Sequence, residues 1–215
     1  MTNPKQPTQI HCRPIRPSDH EAAAQTLTAA FTDAPFTIWI IPDPVIRTSE
    51  MSKYWPTLLK TALKDPSTFI EVTDDLNAVA IWSHVPVTST PSSNPEPTTT
   101  SSNPETKQEA TQTEPPFRPE VHAIYAGIAQ NAPEKPYLSL DYIGSTNHNR
   151  GSASALLRHR LDQVESGVKV ALWTGTKKNI AFYERFGFRV YATALDVDLE
   201  GGQNGWWMVR EGTVA

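Results

Sequence analysis

Leu138–Ile143 alternates in strand fashion, runs into the glycine-bearing loop Gly144–Gly151, and continues as a helical segment, Ser152–Glu165. That segment carries Ala153, Leu156, Leu157, Leu161 and Val164 at three-to-four spacing. Lys169–Thr174 then reads as a buried strand, Asn179–Phe186 as a short helix ended by Gly187, and Phe188–Asp198 and Trp206–Arg210 as a closing strand pair. The order β-α-β-α-β-β calls for an α/β (α+β) fold. A strand feeding a glycine-containing loop that opens a helix collects outward-pointing amides and a helix-dipole end, an arrangement that binds phosphate. The nucleoside-triphosphate form of such a loop needs a Lys-Ser/Thr pair, and the dinucleotide form three spaced glycines with a later ribose-binding acid. Neither occurs here.

The first half is less regular. The first nine residues read as a frayed leader. Ile10–Arg16 has strand character, and Ser18-Asp19-His20-Glu21 matches a capping box that opens a helix ending before Pro35. Thr32–Pro44 reads as a loop, followed by a helix near Glu50–Lys64 that Pro56 kinks or divides. Phe69–Thr73 and Ala78–Val85 form a hairpin pattern around Asp74-Asp75-Leu76-Asn77. From Thr88 to Pro116 every residue but Ala110 is Ser, Thr, Pro, Asn, Gln, Glu or Lys, a composition that cannot bury enough apolar surface to offset its ordering entropy. It is expected to be a disordered insertion that interrupts a single domain spanning 10–215. Pro119–Asn131 carries a short helical pattern.

Several functions are disfavoured by bulk properties. A formal charge of −4 and a pI near 5.9 leave no basic footprint for nucleic acid. Cys12 is the only cysteine, so no intrachain disulfide or cysteine metal site can form. No histidine pair at metal-ligand spacing is backed by acids, and no metal is expected; His159, between Arg158 and Arg160, is expected at the surface. The N-terminus lacks an apolar signal core, and the longest apolar stretch, around Phe36–Ile41, is too short to span a bilayer. A soluble cytoplasmic protein is the default expectation, with no membrane partner; the oligomeric state is left open, a homodimer included.

Three stretches together resemble the two acyl-CoA motifs of the GNAT superfamily of N-acetyltransferases. They are Leu138-Ser-Leu-Asp-Tyr-Ile-Gly144 with Asn149-Arg-Gly-Ser-Ala-Ser-Ala-Leu-Leu157, then Leu172-Trp-Thr174, then Asn179 with Phe182-Tyr-Glu-Arg-Phe-Gly-Phe188. Within that superfamily the chain is most similar to puromycin N-acetyltransferase-type members, through Leu27–Pro35, Ala80-Ile-Trp82 and Trp207–Arg210. The resemblance implies a mixed central sheet of about six to seven strands with flanking helices, and a splayed strand pair that holds acetyl-CoA as co-substrate. It also implies direct attack by a primary amine of a small molecule in a ternary complex.

Acetyl transfer to an amine needs a neutral nitrogen, donors for the developing oxyanion and a proton for the departing thiolate. By resemblance, backbone groups of Ile143 and Ser145, with Gly144 between them, pair with the pantetheine arm. The loop from His148 through Arg150, Gly151, Ser152, Ala153 and Ser154 binds the pyrophosphate, and Asn179 bonds the pantetheine or orders a water. Tyr183 matches the position that protonates the leaving sulfur, and Asp141 is the candidate base. Asp33, Phe36 and Trp39, with Asp43, lie where family members build the acceptor pocket; acids beside aromatics suit a cationic, partly apolar amine.

Each residue also has a plainer reading. Tyr183 could pack beside Phe182 and Phe186, Asp141 could be a solvent-facing acid, and the aromatics could anchor a loop. The phosphate loop departs from the family pattern, being shorter by about two residues between Gly144 and Leu156. Either His148 takes the basic first position, or Arg150-Gly151 is retained and the second glycine is lost. Ser152 and Ala153 must then tolerate the backbone angles of the loop, at a cost of about 1 kcal/mol for a non-glycine residue at positive φ. Two alternatives to small-molecule acetylation therefore stand: a degenerate, non-catalytic domain acting as a CoA sensor or interaction module, and a protein or peptide N-acetyltransferase.

Overall fold

Short strand β1 (Cys12–Pro14) leads into a 3₁₀ turn at Pro17–Asp19 and helix α1 (His20–Phe31) in the computed structural model, which describes residues 10–87, 117–118, 120–146, 151–193 and 205–212. Among the described residues no side-chain hydrogen bond caps α1 as expected of Ser18; Asp19 instead closes the preceding 3₁₀ turn. Its Oδ2 accepts the Arg16 backbone N–H at 2.8 Å and an Arg13 guanidinium N–H at 2.6 Å. Helix α2 (Pro35–Ile40) occupies the stretch expected to be a loop, with Pro35 in its first turn, where a missing N–H costs nothing. Helix α3 (Pro44–Ala62) begins earlier than the sequence pattern indicated, because Asp43 Oδ1 accepts the Val45 and Ile46 N–H groups at 2.8 Å each. Pro56 sits inside α3 without dividing it; the proline is on the exposed side, where solvent can satisfy the freed carbonyl.

The remaining elements follow the sequence order. They are β2 (Thr68–Thr73), β3 (Ala78–Val85), α4 (Val121–Gln130), β4 (Tyr137–Ser145), α5 (Ser152–Leu161), β5 (Val170–Thr174), α6 (Lys178–Glu184), β6 (Arg189–Thr193) and β7 (Trp206–Arg210). The seven strands form one mixed sheet in the order β1-β2-β3-β4-β5-β7-β6, in which β4 and β5 are parallel and the other neighbours antiparallel. The segment 88–116 lies outside the described residues. The strands on either side of it, β3 and β4, are direct neighbours from Ala78↔Ser145 to Val85↔Tyr137.

Alternation along the strands divides the core between two faces. Ala78, Ala80, Trp82, Leu138, Leu140 and Leu172 pack on one side with Leu156, Leu157 and Leu161 of α5 and Tyr183 of α6. On the other side Val79 and Ile81 pack against Leu27 of α1 and Trp55 and Leu59 of α3. There too Tyr137, Ala171, Trp207 and Val209 pack against Trp39 and Ile40 of α2 and Ile124 of α4. Trp206 and Trp207 differ in burial as their alternation requires: Trp206 is half-buried, and Trp207 is buried and donates its indole N–H to the Ile128 carbonyl at 2.7 Å.

Two contacts lock this frame. Gly144 lies under α1, where a Cβ would meet Ala30 Cβ at 2.9 Å, Phe31 at 3.0 Å and Leu27 at 3.2 Å, so only glycine lets the helix approach β4 this closely. Glu71 of β2, fully buried, is bridged by Arg160 of α5, whose guanidinium also lies 4.4 Å from the Phe69 ring centroid. His159 is less exposed than expected, with its Nε2 3.5 Å from Glu71 Oε1.

Candidate functional site

Strands β4 and β5 pair for only three residues, Leu138↔Val170, Ser139↔Ala171 and Leu140↔Leu172, and then part. The parting coincides with a bulge. Leu140 faces Trp82 and Tyr142 faces Ile81 on β3, so Asp141 is one extra residue in β4. A bulge bends its strand and increases its twist, which carries the Tyr142–Ser145 end of β4 away from β5. Past Leu140 the ladder lends β4 no β5 partners, which leaves strand backbone open to an extended ligand.

On the α5 side of this opening, α5 starts at Gly151, whose φ of 87° is left-handed. The cost expected at Ser152 and Ala153 does not arise, since Leu76 is the only non-glycine residue with positive φ among the described residues. Among the described residues no side chain caps α5. The first-turn amides of Ser152, Ala153 and Ser154 therefore point outward with the helix dipole behind them. His148 and Arg150 lie outside the described residues. Asn179 of α6 donates from Nδ2 to Thr174 Oγ1 at 3.3 Å, tying that helix to the end of β5. Tyr183, one turn further, is 7% exposed and packs edge-on against Phe182 and Phe188 at 5.1 and 6.0 Å between centroids. Burial pushes its hydroxyl pKa well above the ordinary tyrosine value, so it carries its proton at neutral pH.

On the opposite side of the sheet Asp141 Oδ1 accepts the Ser139 hydroxyl at 2.6 Å. Asp141 is exposed, although protein atoms crowd its carboxylate. Desolvation raises its pKa above the usual carboxylate value, against the lowering effect of the Ser139 and Ser83 hydroxyls. The Tyr142 ring packs edge-on on Phe31 and Trp55, and its hydroxyl lies 2.9 Å from that of Tyr54 of α3. Tyr125 of α4 and Tyr54, 42% and 40% exposed, lie within electrostatic reach of each other. Burial raises the Tyr125 pKa to about 12.

The three residues expected at the acceptor pocket take different positions. Phe36 is half-buried and contacts Trp173 and Tyr125 edge-on at 5.0 and 6.4 Å. Trp39 is buried in the core beneath, with Arg118 over its ring. Asp33 turns outward to Arg47, 3.3 Å away, and Asp43 is the α3 cap. Tyr54, Tyr125, Tyr142 and Trp173 were not singled out from sequence. Their convergence depends on contacts between distant segments, although Tyr142 and Trp173 lie within the motif runs. No group of three or more His, Cys, Asp or Glu able to hold a metal occurs among the described residues, and no described helix is long and apolar enough to cross a membrane.

A seven-stranded mixed sheet that parts between its central parallel strands, with helices on both faces, is the GNAT fold. No family model matches the sequence. The fold is similar to that of a protein from Corynebacterium glutamicum described as histone acetyltransferase HPA2 and related acetyltransferase, with a TM-score of 0.66 at 16% identity over 97% of this chain and 99% of the other. It is also similar to the ribosomal-protein-S18-alanine N-acetyltransferase of Escherichia coli, with a TM-score of 0.55 at 14% identity over 96% of both chains. A third similar structure is the PaiA N-acetyltransferase of Thermoplasma acidophilum in complex with coenzyme A, with a TM-score of 0.52 at 11% identity over 95% of this chain and 99% of the other.

Proposed function

We propose that the protein is an acetyl-CoA-dependent N-acetyltransferase that acetylates a primary amine of a small molecule by direct attack. The observation that carries this reading is the opening between β4 and β5, created by the extra residue Asp141 and flanked by Asp141 on one face of the sheet and Tyr183 on the other. Acetyl-CoA supplies the activated thioester. The strand backbone at Ile143, Gly144 and Ser145 pairs with its extended arm, and the α5 amides of Ser152, Ala153 and Ser154 behind Gly151, with His148 and Arg150, hold its pyrophosphate. Asn179 orders the arm near Thr174. The similarity to a coenzyme A complex of the same fold supports this assignment.

Asp141 takes a proton from the incoming ammonium, directly or through water, so that the neutral nitrogen attacks. Tyr183, protonated because it is buried, donates to the leaving sulfur. A backbone amide of the parted strand stabilises the oxyanion. Phe36 contacts the acceptor, with Trp39 supporting it from below and Asp33 at the rim. The puromycin N-acetyltransferase-type resemblance supports a small-molecule acceptor. A protein acceptor is the second reading, favoured by the similarity to an enzyme described as acting on a ribosomal-protein alanine.

Calorimetry with acetyl-CoA, followed by assay of free thiol release with a panel of amines, tests the proposal. Micromolar binding and amine-dependent thiol release are expected. No binding at millimolar acetyl-CoA would overturn it in favour of a non-catalytic domain, and turnover of peptides alone would move the acceptor to protein.

A further inference from the structure

Asp141 and Trp173 are the first residues of β4 and β5 beyond the last paired couple, Leu140↔Leu172. They therefore stand at the two lips of the opening. They also share a face. Ser139, which bonds Asp141, pairs with Ala171, and Ala171 and Trp173 belong to the cluster beneath α2 and α4.

The indole is wedged rather than merely packed. A Cβ at Gly205 would lie 2.4 Å from Trp173 Nε1, and one at Gly175 would lie 3.0 Å from its Cη2. Two glycines thus leave room for this ring, and Phe36 meets it edge-on at 5.0 Å. Such a seat fixes the indole plane, while the side chain stays only half-buried. On the other lip the exposed Asp141 carboxylate has two hydroxyl neighbours and, among the described residues, no cationic partner.

We propose that Trp173 and Asp141 are the two walls of an acceptor site for a small amine carried on an aromatic or otherwise apolar framework, with no carboxylate beside the nitrogen. An ammonium fits between a carboxylate and the face of an indole, where ion pairing and cation–π attraction add. A carboxylate on the carbon next to the nitrogen would be brought against Asp141, and like charges placed together are rejected. The inference rests on the acetyl-transfer reading for its purpose, but its binding chemistry can be tested separately.

The test is calorimetry on the full chain, with and without CoA, using 2-phenylethylamine, phenylalanine, 2-cyclohexylethylamine and an alanine-initiated tetrapeptide. 2-Phenylethylamine is expected to bind roughly 100-fold more tightly than phenylalanine and a few-fold more tightly than the cyclohexyl amine. Trp173→Leu is expected to weaken 2-phenylethylamine about tenfold while acetyl-CoA binding stays within about twofold, and Trp173→Phe to recover most of the loss. Should Trp173→Leu not fold, Gly205→Ala, whose methyl displaces the indole, is expected to give the same loss. Equal binding of phenylalanine, tighter binding of the peptide, an unaffected Trp173→Leu, or no amine binding in either condition would overturn the inference. Amine binding as expected with no binding of acetyl-CoA would instead remove the acetyl-transfer reading and leave the clamp standing.

Discussion

In the proposed reaction the same physical cause, desolvation, serves Asp141 and Tyr183 in opposite ways. It raises both pKa values, which keeps a phenol protonated and makes a carboxylate a better base. A base must be ionised to act, so the acid limb of kcat/KM is expected above the ordinary carboxylate range of about 4. That limb should vanish in Asp141→Asn, with activity down at least about 100-fold; an unchanged limb would show that another group titrates there. Tyr183→Phe is expected to lower kcat about 100-fold without changing the affinity for acetyl-CoA measured by calorimetry, because the hydroxyl is needed only as the sulfur leaves. Tyr183 and Asn179 stand out in the sequence as candidates because both lie on the short helix that enters the Phe182–Phe188 run. Asp141 could be read only as a residue type in a strand, since being the extra residue of a bulge depends on its neighbours Leu140 and Tyr142 pairing with Trp82 and Ile81, some sixty residues earlier.

Among the elements, those with uninterrupted periodicity were legible and those begun by local chemistry were not. Strands β2, β3, β4 and β5 and helices α5 and α6 lie within a few residues of their expected bounds. Helix α2 was missed because Phe-Thr-Ile-Trp-Ile is rich in strand-forming residues, and the signal that decides it is Pro35 at the helix start. Helix α3 was shortened because its Asp43-Pro44 start was read as loop. Contacts that hold elements together leave no local signal at all. Arg160 of α5 neutralises Glu71 of β2, and Arg160→Ala would leave this buried carboxylate with only the His159 imidazole nearby. The expected loss is roughly 3 kcal/mol in the denaturant midpoint analysis.

For the whole molecule, the order of strands and helices followed from the sequence apart from α2, while the parted strand pair followed only from the family resemblance and not from alternation or spacing. Alternation says which residues face the core, and only the register between β3, β4 and β5 says where two neighbours stop pairing. The deletion of Asp141 is informative here, because Leu140↔Trp82 and Tyr142↔Ile81 would become consecutive pairs and the ladder to β5 could extend. The shortened chain is expected to keep or raise its thermal midpoint, by up to a few degrees, while its acetyl-CoA affinity falls at least about tenfold; retained affinity would mean that the bulge does not create the opening. One surplus residue therefore acts as a spacer against zippering. On the proposed reading, a change that made the protein sturdier by erasing the spacer would shut the sheet against its ligand, so sturdiness and binding pull this one residue in opposite directions.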